Sequence, residues 1–311
     1  MGDLIGVDIG GTNIRAVLFD KNMKVINRLQ FPTGATRGYL IIKKNIVDML
    51  NTLSKPSISA IGIGCAGLID HTKGIIRFSP NFRDWKNIHI KDDIEKAMGI
   101  PTYIINDVNA AIWGEVRYKS AIADKNVLCI TLGTGIGGGL LLGGKLHIGS
   151  HDLAGEIGHT IYQPNGKKCA CGRKGCLEAY ISSRSIINRV KNKMRKYPHS
   201  KLTYHKNITV KDIADKAKQN DHAALEIFYE VGVILGNALA NASILLDLDM
   251  ILIGGNVSKV GKPLFQPLIK NFEKNMWKFN QKTVKITRTA LGADSGVIGS
   301  ALWASHKLNN Q

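Results

Sequence analysis

The stretch Gly6-Val7-Asp8-Ile9-Gly10-Gly11-Thr12-Asn13 decides the fold of this 311-residue chain. An acidic residue ends an apolar strand, and two glycines and a threonine then make a tight turn into the next strand. The backbone N–H groups of such a turn can approach phosphate oxygens closely, and the nearby carboxylate can hold Mg²⁺. A plain β-hairpin turn would use the same two glycines. The motif alone therefore leaves both interpretations open.

Predicted strands and helices follow this motif in an order that occurs twice. The strands predicted for the first half lie at 4–7, 14–19, 25–31, 58–64 and 102–105. Those predicted for the second half lie at 127–131, 139–142 and 250–253. Helices with one apolar face are predicted around 42–53, from Val108, over 222–246 and over 296–306. The repeated order predicts an α/β protein of two similar lobes with a cleft between them.

The net charge of +18 would attract anions, and its densest basic run lies between residues 184 and 206. Within that run Ile186, Val190 and Met194 recur every four residues, which is typical of an amphipathic helix with a solvated basic face. The sequence shows no zinc-finger, RRM or helix-turn-helix pattern. We therefore expect no nucleic-acid partner.

The hydropathy pattern predicts a protein without a membrane span. The N-terminus lacks the basic and long apolar regions of a signal peptide. The best transmembrane candidate is the uncharged stretch 231–246, which is shorter than the roughly 20 residues that a spanning helix needs. We expect a cytoplasmic protein that does not bind membranes.

A second glycine-rich run lies at 131–139, Thr-Leu-Gly-Thr-Gly-Ile-Gly-Gly-Gly. It satisfies the G-x-G-x-x-G spacing of a dinucleotide-binding turn, but that fingerprint must open a helix. The residues that follow are apolar residues and glycines, which suit a strand. The context therefore favours a second phosphate-binding hairpin that matches the first.

Asp107 lies where a predicted strand ends and a helix begins. An aspartate at this point is a common N-cap, and the motif by itself favours that structural role. The functional alternative is a carboxylate that accepts a proton from a sugar hydroxyl. Both interpretations stay open at this point.

Three cysteines lie within eight residues, and a histidine precedes them. Three thiolates and one imidazole make the closed four-ligand set of structural zinc sites, so His159, Cys169, Cys171 and Cys176 are the predicted ligands. A glutamate flanks the set on each side, which indicates a polar pocket beside the metal. The remaining two cysteines, Cys65 and Cys129, lie in apolar runs and are expected in the core.

Taken together, these motifs resemble the ROK family of bacterial sugar kinases and repressors over essentially the whole chain. The resemblance implies the two-lobed actin/hexokinase-like fold, related to ribonuclease H, with a cleft between the lobes. We place a smaller N-terminal lobe at 1–108 plus about 296–311, and a larger lobe with the zinc knuckle at 109–295. The family also implies a homodimer.

The resemblance implies a role for each matching position. Asp107 corresponds to the general base. The positions implied for ATP and Mg²⁺ are Asp8, Gly10, Gly11, Thr12, Asn13, Thr134, Gly135, Gly137, Gly254 and Gly255. The positions implied for the sugar are Gly67, Asn81, Asn106, Asp107, Glu156, His159 and Glu178, of which His159 would also bind zinc. Gly67 follows Cys65-Ala66, where the family usually has proline before the glycine, so the stiffness of this loop is an open question.

The expected activity is ATP-dependent phosphorylation of a free hexose at its 6-hydroxyl, as in glucokinases. A kinase for N-acetylmannosamine or allose is the alternative within the family. A non-catalytic sugar-responsive regulator is the alternative of another class. Family regulators carry a DNA-binding domain ahead of the Asp-Gly-Gly motif, and here Asp8 is only the eighth residue, so we expect the enzyme.

Overall fold

A computed structural model describes residues 2–118, 124–279 and 283–310 of the chain. The chain folds into two compact units of about equal length. Unit 1 comprises Met1–Ala123, Leu146–Ala154 and Ala290–Gln311, and unit 2 comprises Asp124–Lys145 and Gly155–Thr289. The sequence-based boundary at 108 falls inside unit 1, because the helix that begins at Asp107 packs against the C-terminal helix of the same unit.

Unit 1 is built on a five-stranded sheet in the order β3-β2-β1-β4-β8. Its strands are β1 (Asp3–Ile9), β2 (Asn13–Phe19), β3 (Val25–Pro32), β4 (Ile58–Cys65) and β8 (Thr102–Asn106). The helices of the unit are α1 (Tyr39–Leu53), α2 (Ile90–Met98), α3 (Asp107–Arg117) and α9 (Ser295–Leu308). The first three strands are antiparallel, whereas β1, β4 and β8 are parallel.

The parallel register aligns the ends of β1, β4 and β8. Ile9 pairs with Cys65, and Cys65 pairs with Asn106, so the residues that follow these strands meet at one edge of the sheet. Both Cys65 and Cys129 are fully buried, as the sequence predicts. The edge is where Asp8, the first glycine-containing turn and Asp107 lie.

Helix α9 lies directly on the backbone of its neighbours through glycines. A Cβ added to Gly6 would lie 1.9 Å from the carbonyl oxygen of Val297, and one on Gly62 would lie 1.8 Å from that of Ser300. On the other side, a Cβ on Gly299 would meet Ala110 of α3 at 1.7 Å. Any larger residue would push α9 away, so these glycines allow its close packing against the sheet and α3.

A small three-stranded sheet that the sequence analysis does not predict extends unit 1. It consists of β5 (Leu68–Asp70), β6 (Ile75–Ser79) and β7 (Phe82–Ile88) in sequential order. The antiparallel pairing of β5 and β6 brings the residues after β4 next to the residues after β6. This pairing places Gly67 near Ser79.

Unit 2 repeats the strand order of unit 1, which confirms the predicted duplication. Its sheet runs β11-β10-β9-β12-β13, with β9 antiparallel to β10 and parallel to β12. The strands are β9 (Val127–Leu132), β10 (Ile136–Leu142), β11 (Lys145–Leu146), β12 (Met250–Gly254) and β13 (Lys285–Arg288). The helices are α4 (Glu178–Ile181), α5 (Ser183–Lys196), α6 (Val210–Lys218), α7 (His222–Leu246) and α8 (Lys262–Asn275).

Helix α7 is the one described helix that is long and apolar enough to cross a membrane by length and composition. With 25 residues it exceeds the stretch 231–246 that the sequence analysis considered too short. In its most apolar window, 61% of the residues are buried inside the protein, among them Phe228 and Leu235, so α7 is the central core helix of unit 2.

The basic face of α5 is less solvated than the sequence predicts. Arg189 Nε lies 3.1 Å from a carboxylate oxygen of Glu230 on α7, and Lys193 pairs with both Glu226 and Glu230. The Lys193 side chain is only 12% exposed. Part of the basic run therefore joins α5 to α7, because the acidic residues of α7 face it across the helix interface.

Candidate active site

The first glycine turn, residues 10–13, is closed by hydrogen bonds from its own ends and from Thr33. The N–H of Gly10 donates to the carbonyl of Asn13 at 3.0 Å. The hydroxyl of Thr33 donates to the carbonyl of Gly10 at 2.7 Å, and its N–H donates to the carbonyl of Thr12 at 2.9 Å. Thr33 is fully buried. The sequence analysis missed Thr33, because only the pairing of β2 with β3 brings it to the turn.

Asp8 lies beside this turn with its carboxyl group against the start of α9. A Cβ on Gly296 would lie 3.1 Å from the carboxyl carbon of Asp8. Burial raises the pKa of Asp8 to about 6; nearby Asp107 adds to the rise, and Arg15 opposes it. Asp8 is thus a carboxyl group that is costly to ionise in the absence of a cation.

Asn106, and not Asp107, is the N-cap of α3, which corrects the structural role that the sequence favoured for Asp107. The side-chain oxygen of Asn106 accepts from the N–H groups of Val108 and Asn109 at 3.0 and 3.2 Å. Its amide nitrogen donates to the carbonyl of Gly67 at 3.0 Å. Asp107 occupies the first helical position, and one of its carboxylate oxygens also accepts from the N–H of Val108, at 3.0 Å.

Hydrogen bonds hold the loop Cys65-Ala66-Gly67, which has alanine where the family usually has proline. The Ser79 hydroxyl donates to the carbonyl of Ala66 at 2.7 Å, and Asn106 holds the carbonyl of Gly67. Gly67 has a φ of +132°, and a Cβ there would lie 2.2 Å from the carbonyl oxygen of Phe78. The loop therefore requires glycine at 67 and is restrained on both sides.

Asn81 lies next to the first glycine turn. A Cβ on Gly11 would lie 3.2 Å from the side-chain carbon of Asn81, so the amide of Asn81 rests on the backbone of Gly11. The side chain of Asn81 remains exposed. In unit 1 the structure thus brings together Asp8, the first glycine turn, Asn81, Asn106 and Asp107.

The second glycine turn, residues 133–136, connects β9 to β10 as a hairpin, so the dinucleotide-binding alternative is excluded. The N–H of Gly133 donates to the carbonyl of Gly135 at 3.0 Å, and the N–H of Ser183 at the start of α5 donates to the carbonyl of Gly133 at 2.8 Å. Thr134 and Gly135 are exposed. Gly137 continues the run as the second residue of β10.

Gly254 and Gly255 lie at the end of β12, next to the strand that leads into the second glycine turn. Gly254 pairs with Thr131 in the parallel register. Gly255 has a φ of +82°, and a Cβ there would lie 2.3 Å from the carbonyl oxygen of Leu132. The two glycine motifs of unit 2 therefore lie side by side.

Glu156 and His159 lie on a segment that packs backbone to backbone on β10. A Cβ on Gly138 would lie 2.1 Å from the carbonyl oxygen of Gly155, and one on Gly158 would lie 2.3 Å from that of Ile136. Partial loss of water raises the pKa of Glu156; nearby His159 opposes this rise and Glu178 adds to it. Glu156, His159 and Glu178 thus form one polar cluster.

The Cys/His knot, defined as His159, Cys169, Cys171 and Cys176, has its four donor atoms within 4.8 Å of one another. The thiols of Cys171 and Cys176 lie 3.6 Å apart, and Cys169 Sγ lies 3.8 Å from His159 Nδ1. Tetrahedral zinc with bonds of about 2.3 Å to sulfur and about 2.0 Å to nitrogen requires such separations. The donor set therefore fits zinc, and Nδ1 is the ring nitrogen that faces it.

Arg173 stabilises the Cys/His knot in a way that the sequence analysis missed. Its guanidinium donates to the carbonyl of His159 at 2.6 Å. The backbone N–H of Arg173, together with its side chain, lowers the pKa of Cys171 to about 6. A thiol that ionises this readily is suited to bind a cation.

Glu178 lies between the Cys/His knot and the second glycine turn. One of its oxygens accepts from the N–H of Ile136 at 2.9 Å, and the other lies 3.5 Å from Cys169 Sγ. A Cβ on Gly135 would come within 2.7 Å of the first oxygen. Glu178 therefore supports the second glycine turn directly. The sequence analysis expected Glu178 only as a sugar ligand and did not predict this contact.

Each unit carries a sheet of the same strand order, with a glycine turn after its first strand, and this duplication defines the actin/hexokinase-like class of α/β proteins. The profile of the ROK family matches residues 4–307. The chain belongs to the ROK family.

Similar proteins include kinases of two sugars. The chain is 33% identical to a glucokinase of Thermotoga maritima over 304 residues, which cover 96% of each chain. It is 29% identical to an N-acetylmannosamine kinase of Yersinia pseudotuberculosis over 99% of this chain and 100% of that one. The solved structure of a ROK family glucokinase from Streptomyces griseus, in complex with glucose and AMPPNP, has a TM-score of 0.83 and 33% identity, and the match covers 98% of this chain and 100% of that one.

Proposed function

We propose that this protein transfers the terminal phosphoryl group of ATP to the 6-hydroxyl of a free hexose. The observation that carries the proposal is the position of Asp107 at the end of β8, near Asp8 and the first glycine turn on one edge of the sheet. One oxygen of the Asp107 carboxylate accepts from the N–H of Val108 at 3.0 Å, which holds the proposed base at the start of α3. The relatives named glucokinase support a hexose as the acceptor.

The transfer requires one proton acceptor. As the sugar hydroxyl oxygen forms its bond to the γ-phosphorus, the bond from that phosphorus to the ADP oxygen breaks, and the hydroxyl proton passes to the carboxylate of Asp107. Asn81 and Asn106 are placed beside Asp107 and the first glycine turn, where they can orient the sugar. Glu156 and His159 are the proposed sugar ligands of unit 2.

The phosphates require positive charge and N–H donors. The backbone N–H groups of the two glycine turns supply donors, while Gly254 and Gly255 offer a surface without side chains for the nucleoside. Asp8 is the proposed holder of the Mg²⁺ that accompanies ATP, because a cation would stabilise the carboxylate that burial makes costly.

Zinc is the proposed occupant of the Cys/His knot. A closed set of three thiolates and one imidazole suits a structural ion, which would hold the segment from Glu156 to Glu178 in place. Because Nδ1 of His159 faces the thiols, Nε2 is the nitrogen that remains for a sugar hydroxyl.

The same proposal includes a cytoplasmic homodimer with no nucleic-acid or membrane partner.

A kinase of N-acetylmannosamine is the second candidate, supported by the similarity to the Yersinia enzyme, and an allose kinase is a third. These sugars differ from glucose at single ring positions, and discrimination of that kind depends on a few hydrogen bonds.

A coupled assay of ADP release with Mg·ATP against free hexoses and N-acetylhexosamines tests the proposal. We expect turnover with glucose, and NMR of the product should place the phosphate on the 6-oxygen. Turnover with N-acetylmannosamine or allose alone would select the alternative kinase. A protein that carries one zinc, binds sugar by calorimetry and releases no ADP would instead be a non-catalytic sugar sensor.

A further inference from the structure

The backbone N–H and carbonyl of Ile136 are both contacted by residues that adjoin the Cys/His knot. Its N–H donates to Glu178, and its carbonyl oxygen lies so close to Gly158 that a Cβ there would approach it to 2.3 Å. Ile136 directly follows Thr134 and Gly135, the exposed part of the second glycine turn. The shape of the turn therefore depends on where Gly158 and Glu178 lie.

Both supports are attached to ligands of the knot. Gly158 immediately precedes His159, and Glu178 lies two residues after Cys176. The N–H of Leu177 donates to the carbonyl of Thr160 at 2.9 Å, which joins the two chain segments beside their ligands. An ion bound to His159 and Cys176 would hold these segments together. Without it, these segments are joined by hydrogen bonds such as those of Leu177 to Thr160, Tyr162 to Gly175 and Arg173 to His159, none of which fixes the side chains of the ligands.

We infer that Glu178 is a positioning residue through which metal occupancy of the Cys/His knot sets the shape of the second glycine turn and, with it, the affinity for nucleotide phosphates. The part that concerns nucleotide rests on the proposed function. A turn that is already ordered binds phosphate without the cost of ordering it. Loss of the bond to Ile136 would also leave a buried N–H without its partner.

Binding of Mg·AMPPNP by calorimetry and hydrogen exchange at the Ile136 amide, with zinc measured in each sample, test the inference. Removal of zinc from the wild-type protein should weaken nucleotide binding on the order of tenfold, the size expected from one lost hydrogen bond and its unsatisfied donor. Exchange at Ile136 should become faster in parallel, and added zinc should restore both.

Variants at 178 separate this coupling from general loss of structure. Glu178→Ala should weaken nucleotide binding and speed exchange at Ile136 even with a full complement of zinc, whereas Glu178→Gln keeps an acceptor oxygen and should restore both. Glu273→Ala, at an exposed glutamate on α8, is the matched control. If the metal-free protein unfolds, the zinc-loaded Glu178→Ala variant still tests whether Glu178 positions the second glycine turn.

Two results would overturn the inference: nucleotide affinity that is independent of zinc, or a zinc-loaded Glu178→Ala protein that behaves as the wild type in both measurements. Failure of the proposed function looks different. Zinc-loaded wild-type protein would then bind no Mg·AMPPNP, while exchange at Ile136 would still report whether the knot orders the turn.

Discussion

Asp107 lies near Asp8 at one edge of the first sheet, and this proximity contributes to the raised pKa of Asp8. The pKa of Asp8 rises to about 6, first because the group is buried and second because of Asp107. Two carboxyl groups that disfavour each other's ionisation form a site that a cation and a proton-donating substrate would stabilise.

Replacement of Asp107 by asparagine should leave sugar binding intact and remove nearly all turnover. Asparagine keeps the size of the side chain but cannot accept the hydroxyl proton, and the loss of a general base costs about 10²–10⁴ in rate. Calorimetric sugar binding and the rate of ADP release are the measurements. Asp48→Asn on the exposed face of α1 is the control. A kcat close to that of the wild type would remove Asp107 from its role.

Replacement of Asp8 by asparagine should stabilise the protein at neutral pH. Because the folded pKa of Asp8 lies above the ordinary aspartate value of 3.8, the folded state holds more protons between these two values, and stability falls as the pH rises through that window. Above this pH window, the ionised Asp8 lowers the free energy of unfolding by about 1–3 kcal/mol, since one pKa unit corresponds to about 1.4 kcal/mol. Urea unfolding should show the Asp8→Asn gain at about pH 8 and little difference near pH 3.5.

The Asp8→Asn protein should at the same time bind Mg·ATP poorly, because an amide cannot replace a carboxylate opposite a cation. Asp48→Asn again serves as the control, with no pH-dependent gain expected. A stability difference between Asp8→Asn and the wild type that is the same at both pH values would show that ionisation of Asp8 has no energetic cost.

Replacement of Gly67 by alanine should destabilise unit 1 and weaken sugar binding. The backbone strain of an alanine at this positive φ adds to the clash of its Cβ, 2.2 Å from the carbonyl oxygen of Phe78. We therefore expect the free energy of unfolding to fall by more than about 3 kcal/mol. Gly38→Ala is a matched control, since Gly38 also has a positive φ, +80°, but nothing lies within 4 Å of an added Cβ. It should cost only the backbone strain, about 1–2 kcal/mol. Equal losses in the two variants would contradict the proposed clash.

Replacement of Thr33 by valine should raise the KM for Mg·ATP about three- to tenfold, because one hydrogen bond that closes the first glycine turn is lost. The KM for the sugar should change much less. Thr52→Val, which removes an exposed hydroxyl bonded to a backbone carbonyl on α1, should change neither value. A larger rise in the KM for the sugar than in the KM for Mg·ATP would contradict a role of this turn in binding ATP.

Replacement of Cys171 by serine should abolish zinc binding and weaken sugar binding together. The exposed Cys171 has a pKa of about 6 and is one of the four proposed zinc ligands, so its loss would open the closed set. Metal analysis and calorimetry with sugar are the measurements. Added zinc should restore chelator-treated wild-type protein but not the variant. Normal sugar affinity in the zinc-free variant would separate the knot from the sugar pocket.

Local patterns in the sequence were enough to predict most of the fold. The alternation of apolar strands and glycine turns predicted β1, β2 and β9, and the apolar face of 222–246 predicted α7 at its observed bounds. The Cys/His knot was also readable, because three of its ligands lie within eight residues. By contrast, β5 to β7 were missed: β5 has only three residues, and the polar and charged residues of β7 interrupt an apolar pattern.

Contacts between distant segments were not readable in this way. Thr33 reaches the first glycine turn only through the pairing of β2 and β3, and Glu178 reaches Ile136 across 42 positions of the chain. The motif alone favoured Asp107 as the cap of α3, whereas Asn106 holds it, because both residue types cap helices and only the backbone angles select between them.

The sequence by itself determined the ROK-type order of motifs, the candidate residues for metal and phosphate, and the two similar α/β units, because these follow from local periodicity, turn chemistry and close ligand spacing. Only the tertiary structure decided which of those residues meet, that Asp107 raises the pKa of Asp8, and that Glu178 supports the second glycine turn. The physical reason is that hydrogen bonds and electrostatic interactions depend on distances in space, which packing sets and sequence separation does not.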